Sequence, residues 1–240
     1  MLGRRHRISL MLAGASLLAP SIAMAVDIPV PAKVHLAKVD KTSGVAKLAK
    51  IVNKPSPKGT TFAVPAPGGS SDPTTAGATL RFCKLAEPLA ECEPIALPAG
   101  QWKGLGNPAG SKGYKYKGAG TESDPCKVVL IKDKVIRAVC KGPGALDAPD
   151  PFALPIGPNG VGWELVSGTD RYCAESSVAT GAVVKKDDAS KGIWKAINAD
   201  APAACFGGVA TPSPTPPPTP TPPYGSASKA FLQSSSGLLQ

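Results

Sequence analysis

The sequence predicts an all-β fold, a disulfide-stapled antiparallel β-sandwich of about ten to twelve short strands, built either as one large sandwich or as two abutting β-units. Three observations carry that expectation. Short runs of alternating apolar and polar residues recur along the chain, separated by turn residues, with no convincing helical stripe. The 27 prolines and 26 glycines punctuate those runs and leave little room for long helices. All six cysteines, Cys83, Cys92, Cys126, Cys140, Cys173 and Cys205, follow a leader that directs export, where disulfides persist.

The leader comes first. Arg4, Arg5 and Arg7 precede an apolar run from Ile8 through Ala19, and Ala23-Met24-Ala25 forms a small-x-small site. Residues 1–25 therefore read as a secretory signal peptide cut before Val26. The apolar run is too short to span a bilayer, so the expected product is secreted, extracellular or periplasmic, with no integral span after cleavage. The leader holds three of the 27 basic residues and none of the 17 acidic ones, so the rest stays basic. Lysine spread along strands protects sheet edges. It also suits acidic polysaccharide or a cell-envelope component as a partner, whereas a nucleic-acid partner is not expected.

Residues 26–206 read as the sandwich domain. Val26–Pro31 is an extended lead, and Lys33–Lys38 alternates as a strand. Val45–Asn53 is ambiguous, because Val45, Leu48 and Ile51-Val52 also fit a helical stripe. A lone short helix would be isolated there, so a strand is expected. Lys54–Gly77 is mostly loop, with a candidate strand at Thr60–Val64. Ala78–Lys84 and Cys92–Leu97 follow as strands joined through Glu87-Pro88. Gln101–Leu105 carries Trp102, and Asn107-Pro108-Ala109-Gly110 is a turn. Gly113–Lys117 places Tyr114 and Tyr116 on one face and Lys115 and Lys117 on the other.

The clearest hairpin is Cys126–Cys140. With a three-residue turn at Lys132-Asp133-Lys134, Ile131 faces Val135, Leu130 faces Ile136, Val128 faces Ala138, and Cys126 lands opposite Cys140. That register predicts a dry face of Cys126, Val128, Leu130, Ile136, Ala138 and Cys140. Beyond the Pro/Gly-rich stretch 142–160, Val161–Val166 and Arg171–Ser176 form a hairpin across Ser167–Asp170. Gly181–Lys186 and Gly192–Ile197 form the last pair. Six cysteines allow fifteen pairings, of which hairpin neighbours favour Cys83–Cys92, Cys126–Cys140 and Cys173–Cys205.

Residues 207–223 hold a Pro/Thr linker, TPSPTPPPTPTPP, extended as polyproline II and able to span about 40 Å. Residues 224–240 are too few for a domain. A spacer leading to so short a segment points to a longer chain or to an unpacked tail.

From Trp102 onward, WKGLGNPAGSKGYKYKG, CKVVLIKDKVIRAVCKG, GTDRYCAE and the closing APAAC resemble a recurrent family of secreted bacterial all-β domains. The likeness extends upstream through Asp72-Pro73 and Leu97–Gly100. It implies the same fold and brings no catalytic residues with it. The Cys83–Cys92 pair departs from the family pattern and adds a local staple.

Catalytic chemistry finds little support in the residue types. A serine or cysteine hydrolase needs a base, and the exported part has one histidine, His35. Strand parity places it beside Lys33, facing water. No cofactor or metal site is expected, since C-x-x-C pairs and histidine clusters are missing from the sequence. Glu164, Asp170, Glu175, Asp187 and Asp188 are the acids a glycosidase would draw on, yet no spacing singles out a pair. Asp187-Asp188 could contribute to a Ca²⁺ site, but without the D-x-D-x-D-G ladder a plain turn is expected. Trp102, Tyr114 and Tyr116 are the candidate ligand contacts, with Trp163 and Trp194 as further members of a carbohydrate platform. Against this stands the expectation that a core poor in aromatics claims them. The function expected is an exported non-catalytic β-module for display, adhesion or envelope structure. The alternative is a carbohydrate-binding or accessory domain of a secreted hydrolase.

Overall fold

The computed structural model describes residues 26–85, 94–142 and 154–205. The leader, the Glu87-Pro88 connection, Cys92, most of the 142–160 stretch, the Pro/Thr linker and the tail lie outside the described residues. Thirteen strands are present among the described residues, arranged in two sheets. In chain order they are β1 (Val26–Pro29), β2 (Ala32–Val39), β3 (Ala46–Asn53), β4 (Ala78–Lys84), β5 (Ile95–Leu97), β6 (Trp102–Gly104) and β7 (Tyr114–Tyr116). There follow β8 (Cys126–Lys132), β9 (Val135–Lys141), β10 (Val161–Ser167), β11 (Asp170–Ser176), β12 (Val183–Asp188) and β13 (Ile193–Ala199). A one-turn helix α1 (Pro73–Ala76) precedes β4, capped by the Asp72 carboxylate, which accepts from Thr74 N at 2.8 Å.

One sheet has the order β1-β11-β10-β4-β5 and the other β12-β13-β2-β3-β9-β8-β7-β6. All pairings are antiparallel except β1 with β11, which run parallel. Ambiguous Val45–Asn53 is a strand because β2 and β9 flank it on both sides, and pairing settles what local pattern leaves open. The candidate strand Thr60–Val64 is not one. It is irregular chain, held by Phe62 N donating to Asp133 O at 2.7 Å.

The core follows from register. Ala196, His35, Ile51, Ala138, Val129, Tyr116 and Trp102 are successive cross-strand partners from β13 to β6, and all seven are buried. A second row runs Trp194, Ala37, Ala49, Cys140, Cys126, where alanines make room for the indole. The five-stranded sheet answers with Phe82-Trp163-Ala174 and Leu80-Leu165-Tyr172. Both faces join one apolar cluster.

The Cys126–Cys140 hairpin corrects the expected register. Ile131 pairs with Ile136 and Lys132 with Val135, so the turn holds two residues, Asp133 and Lys134. A bulge at Lys127 then restores Cys126 opposite Cys140. The dry residues of β8 are consequently Val129 and Ile131, not Val128 and Leu130, while those of β9 are as expected. An extra residue in one strand switches side-chain parity, which simple alternation does not anticipate.

The same device recurs. Register shifts insert Lys33 in β2, Lys47 in β3 and Lys185 in β12. Each of these four bulges therefore has a lysine as its extra residue. The strand starts AKVH, AKLA and CKVV share one pattern: inward, exposed lysine, half-buried aliphatic, inward. Both bulge residues lean to the outer side, where an ammonium stays hydrated while its stem covers the sheet.

Two of the expected disulfides are present, Cys126–Cys140 and Cys173–Cys205. Cys83 is also disulfide-bonded, and its expected partner Cys92 falls outside the described residues. Among the described residues no helix is long and apolar enough to cross a membrane.

Candidate functional site

His35 is fully buried, not facing water. The bulge at Lys33 breaks the parity that linked the two residues, sending Lys33 outward and His35 inward. Trp163 Nε1–H donates to His35 Nε2 at 3.0 Å, and Ser176 Oγ lies 2.7 Å from Nδ1. An indole only donates, so Nε2 accepts, the ring proton sits on Nδ1, and Nδ1–H donates to Ser176. The neutral ring thus bridges β2 to β10 and β11 across the sandwich. Burial lowers its pKa from 6.5 to about 3, against a smaller opposite pull from the Asn53 carboxamide. A serine oxygen beside an imidazole has the distance of a catalytic dyad. Here both groups are sealed from solvent and Nε2 is already engaged, so the serine oxygen meets no solvent-borne substrate in the folded chain.

The candidate ligand contacts are also interior. Trp102 is 7% exposed, Tyr114 1% and Tyr116 0%, and Trp163 and Trp194 are equally sequestered, so none of the five presents a ring face to solvent. Trp102 Nε1–H donates to Leu97 O (3.1 Å), and its ring tilts onto Tyr116 at a centroid distance of 5.4 Å. The Tyr114 hydroxyl donates to Pro65 O (3.2 Å) and that of Tyr116 to Asp124 (2.8 Å). Burial with a nearby carboxylate, Asp72, pushes the Tyr114 phenol up to about 12; burial and Asp124 likewise raise that of Tyr116. These phenols tie loops to the sheet end. Gly110 (φ 90°) lies against the Tyr114 hydroxyl, which a Cβ there would meet at 2.8 Å.

The acids separate into two kinds. Asp187 accepts from Ile156 N (2.9 Å) and Gly157 N (2.8 Å), and Asp188 caps the turn at Lys191. The two acids end strand β12 instead of sitting in a plain turn: Asp187 braces the segment before β10 and Asp188 the turn that follows, and no cluster suited to a metal ion occurs among the described residues. Glu164 is 3% exposed on the far face of the five-stranded sheet. Its Oε1 lies 3.8 Å from Arg171, too far to hydrogen-bond, while Arg171 holds Asp27 with two bonds of 2.7 Å. Burial raises the Glu164 pKa, Arg171 and Arg81 oppose it, and burial alone raises that of Glu175. The two glutamates share a sheet face, since Glu175 pairs with Gly162, two residues before Glu164.

A cavity open to solvent lies elsewhere among the described residues. A cleft of about 730 Å³ sits at one end of the eight-stranded sheet, within the roughly 300–1,000 Å³ usual for small-ligand sites. Lys33 enters it from the β2 bulge, Lys54 and Lys58 from the loop after β3, and Lys134 from the β8–β9 turn. Asp200 is the acid on its wall. Pro31, Pro55, Ala32 and Ala199 supply the apolar part, the two alanines being buried beneath it.

Two local features set this geometry. Asn198 is the one non-glycine residue at positive φ (55°) among the described residues, a strained pose that concentrates at functional sites. Its Oδ1 accepts from Lys33 Nζ at 2.8 Å, which aims the ammonium and leaves two of its three N–H donors free. The loop is braced by Thr60, whose N and Oγ1 both donate to Pro57 O, and by the Phe62–Asp133 bond to the lysine-bearing turn. Sequence reasoning found basic charge but not this gathering. The bulge at Lys33 and the tether between loop and turn create it, and simple alternation along the strand reveals neither.

What these features define is a disulfide-closed all-β sandwich with a basic cleft at one sheet end. No protein-family model, curated protein or solved structure matches the chain.

Proposed function

We propose that this chain is an exported, non-catalytic β-module that acts by binding, in display, adhesion or envelope structure. The observation that carries the reading is the partition of its chemistry. The histidine, its serine neighbour and the large aromatic rings face inward, while four lysines are gathered around one solvent-open cleft. Enzymes place titratable groups where substrate reaches them; here the charged groups of the cleft are four lysines against the one acid Asp200, a balance suited to attraction. Disulfides favour an oxidising compartment, consistent with the Arg-led apolar leader.

The alternative, an accessory domain that binds polysaccharide for a hydrolase, uses the same cleft and differs in what is attached to the module. Co-sedimentation of the disulfide-bonded protein with insoluble envelope polysaccharide tests the binding reading, with reducing-end release assayed in parallel. Retention in the pellet without release of reducing ends is expected. Steady release of reducing ends by the purified chain would overturn the non-catalytic assignment.

A further inference from the structure

Resting on that binding reading, we infer that the lysine-lined cleft is a subsite for a short segment of anionic saccharide, its rings against the prolines and its acidic substituents on the ammonium groups. The cleft offers two chemistries side by side. Pro31 and Pro55, both half-buried, line it beside the buried Ala32 and Ala199, and the C–H faces of a sugar can cover such apolar surface. Around them stand Lys33, Lys54, Lys58 and Lys134, opposed by Asp200 alone among acids of the lining.

A bare polyanion would use the lysines and leave the apolar part unmatched. A neutral glycan would use the apolar part and leave four cations unpaired. An acidic saccharide satisfies both. Exposed, flexible ammonium groups are point charges without a fixed fork, so they accept carboxylate or sulfate substituents alike. The Asn198–Lys33 bond holds one cation in place beforehand, reducing the ordering cost of binding. Asp200 restricts where an acidic substituent sits, since an anion placed against it is repelled.

Binding of fluorescent oligosaccharides to the full disulfide-bonded chain, read by anisotropy at physiological salt, tests this. The probes are an oligouronate, a sulfated oligosaccharide, a neutral dextran oligomer and a polyphosphate matched in charge. The uronate or the sulfated probe binds saturably, the dextran does not, and the polyphosphate is at least about tenfold weaker than the better saccharide, a gap of 1.4 kcal/mol. Lys54→Glu/Lys58→Glu weakens binding at least about tenfold, the same free-energy gap. Lys103→Glu/Lys115→Glu makes the same change in net charge on β6 and β7, outside the cleft, and weakens it less than about twofold, as screened distant charges should.

Lys134→Glu, from a different element, repeats the first variant without touching its loop. Thermal unfolding confirms that all three variants remain folded. Equal losses in the cleft and β6–β7 variants, or polyphosphate bound as tightly as saccharide, overturns the inference while the binding reading stands. Failure of every probe to bind, together with no retention on envelope polysaccharide, takes down the reading itself.

Discussion

Acidification should destabilise this fold through His35. The ring is neutral and fully buried, with a folded pKa of about 3 against 6.5 when exposed. Because the folded value lies below the unfolded one, the unfolded ensemble takes up the proton first as pH falls. The stability linked to His35 is therefore intact above 6.5 and is lost progressively toward 3. Linkage at 1.36 kcal/mol per pKa unit puts the loss at about 2 kcal/mol between pH 7.5 and pH 5. Glu164 and Glu175, with raised pKa values, act in the opposite sense, since the folded state then binds their protons more readily. A variant separates the two. His35→Leu/Trp163→Phe/Ser176→Ala removes the ring together with both partners, so no buried donor or acceptor of that trio is orphaned. Urea unfolding at pH 7.5 and pH 5 should show wild type losing about 2 kcal/mol more than the triple variant. Equal pH dependence in the two proteins would refute the assignment of a neutral, sealed imidazole.

Cys126→Ser/Cys140→Ser, which opens a 14-residue separation, should cost about 3 kcal/mol, and Cys173→Ser/Cys205→Ser, across 32 residues, about 4 kcal/mol in the chain-entropy model; urea midpoints of the oxidised proteins check both. Deleting Lys127 should be tolerated, because Val128 pairs with Val139 and Cys126 with Cys140 on either side of the bulge, so removal leaves a regular strand. Deleting Leu130 removes the same surplus residue, so Cys126 again falls opposite Cys140 while Val128 takes the place of Val129 on the dry side; the disulfide should persist, with no free thiols counted by alkylation and mass spectrometry. Trp163→Phe alone should cost about 1–3 kcal/mol by leaving His35 Nε2 an unsatisfied buried acceptor, measured by urea unfolding at neutral pH. All three tryptophans are buried, so acrylamide should quench their fluorescence weakly until the protein unfolds.

Much of the fold was legible in the chain. Ala78–Lys84 is a strand with the expected bounds, the β10–β11 and β12–β13 hairpins lie where turn residues placed them, and Cys126 and Cys140 face each other. What failed to read was parity. Alternation assumes an unbroken strand, and the lysine bulges of β2 and β8 each switch faces within one residue. That one effect turned His35 from a surface residue into a bridge between sheets, and moved the dry face of β8 from Val128 and Leu130 to Val129 and Ile131. The parallel β1–β11 pairing was equally hidden, since it joins residues 144 apart, such as Asp27 and Arg171. The expectation that Tyr114 and Tyr116 belong to the core was sound, because no bulge interrupts β7. The cleft was illegible for a different reason. Its four lysines come from three separated segments, and only long-range pairing brings them together.

The most direct test of the account asks where bound ligand shields the chain. Lysine acylation, mapped by mass spectrometry with and without a saturating acidic oligosaccharide, reads every ammonium group at once. Protection concentrated on Lys33, Lys54, Lys58 and Lys134, with Lys103 and Lys115 unchanged, is the predicted result. Protection spread evenly over the surface, or centred on β6 and β7, would contradict it.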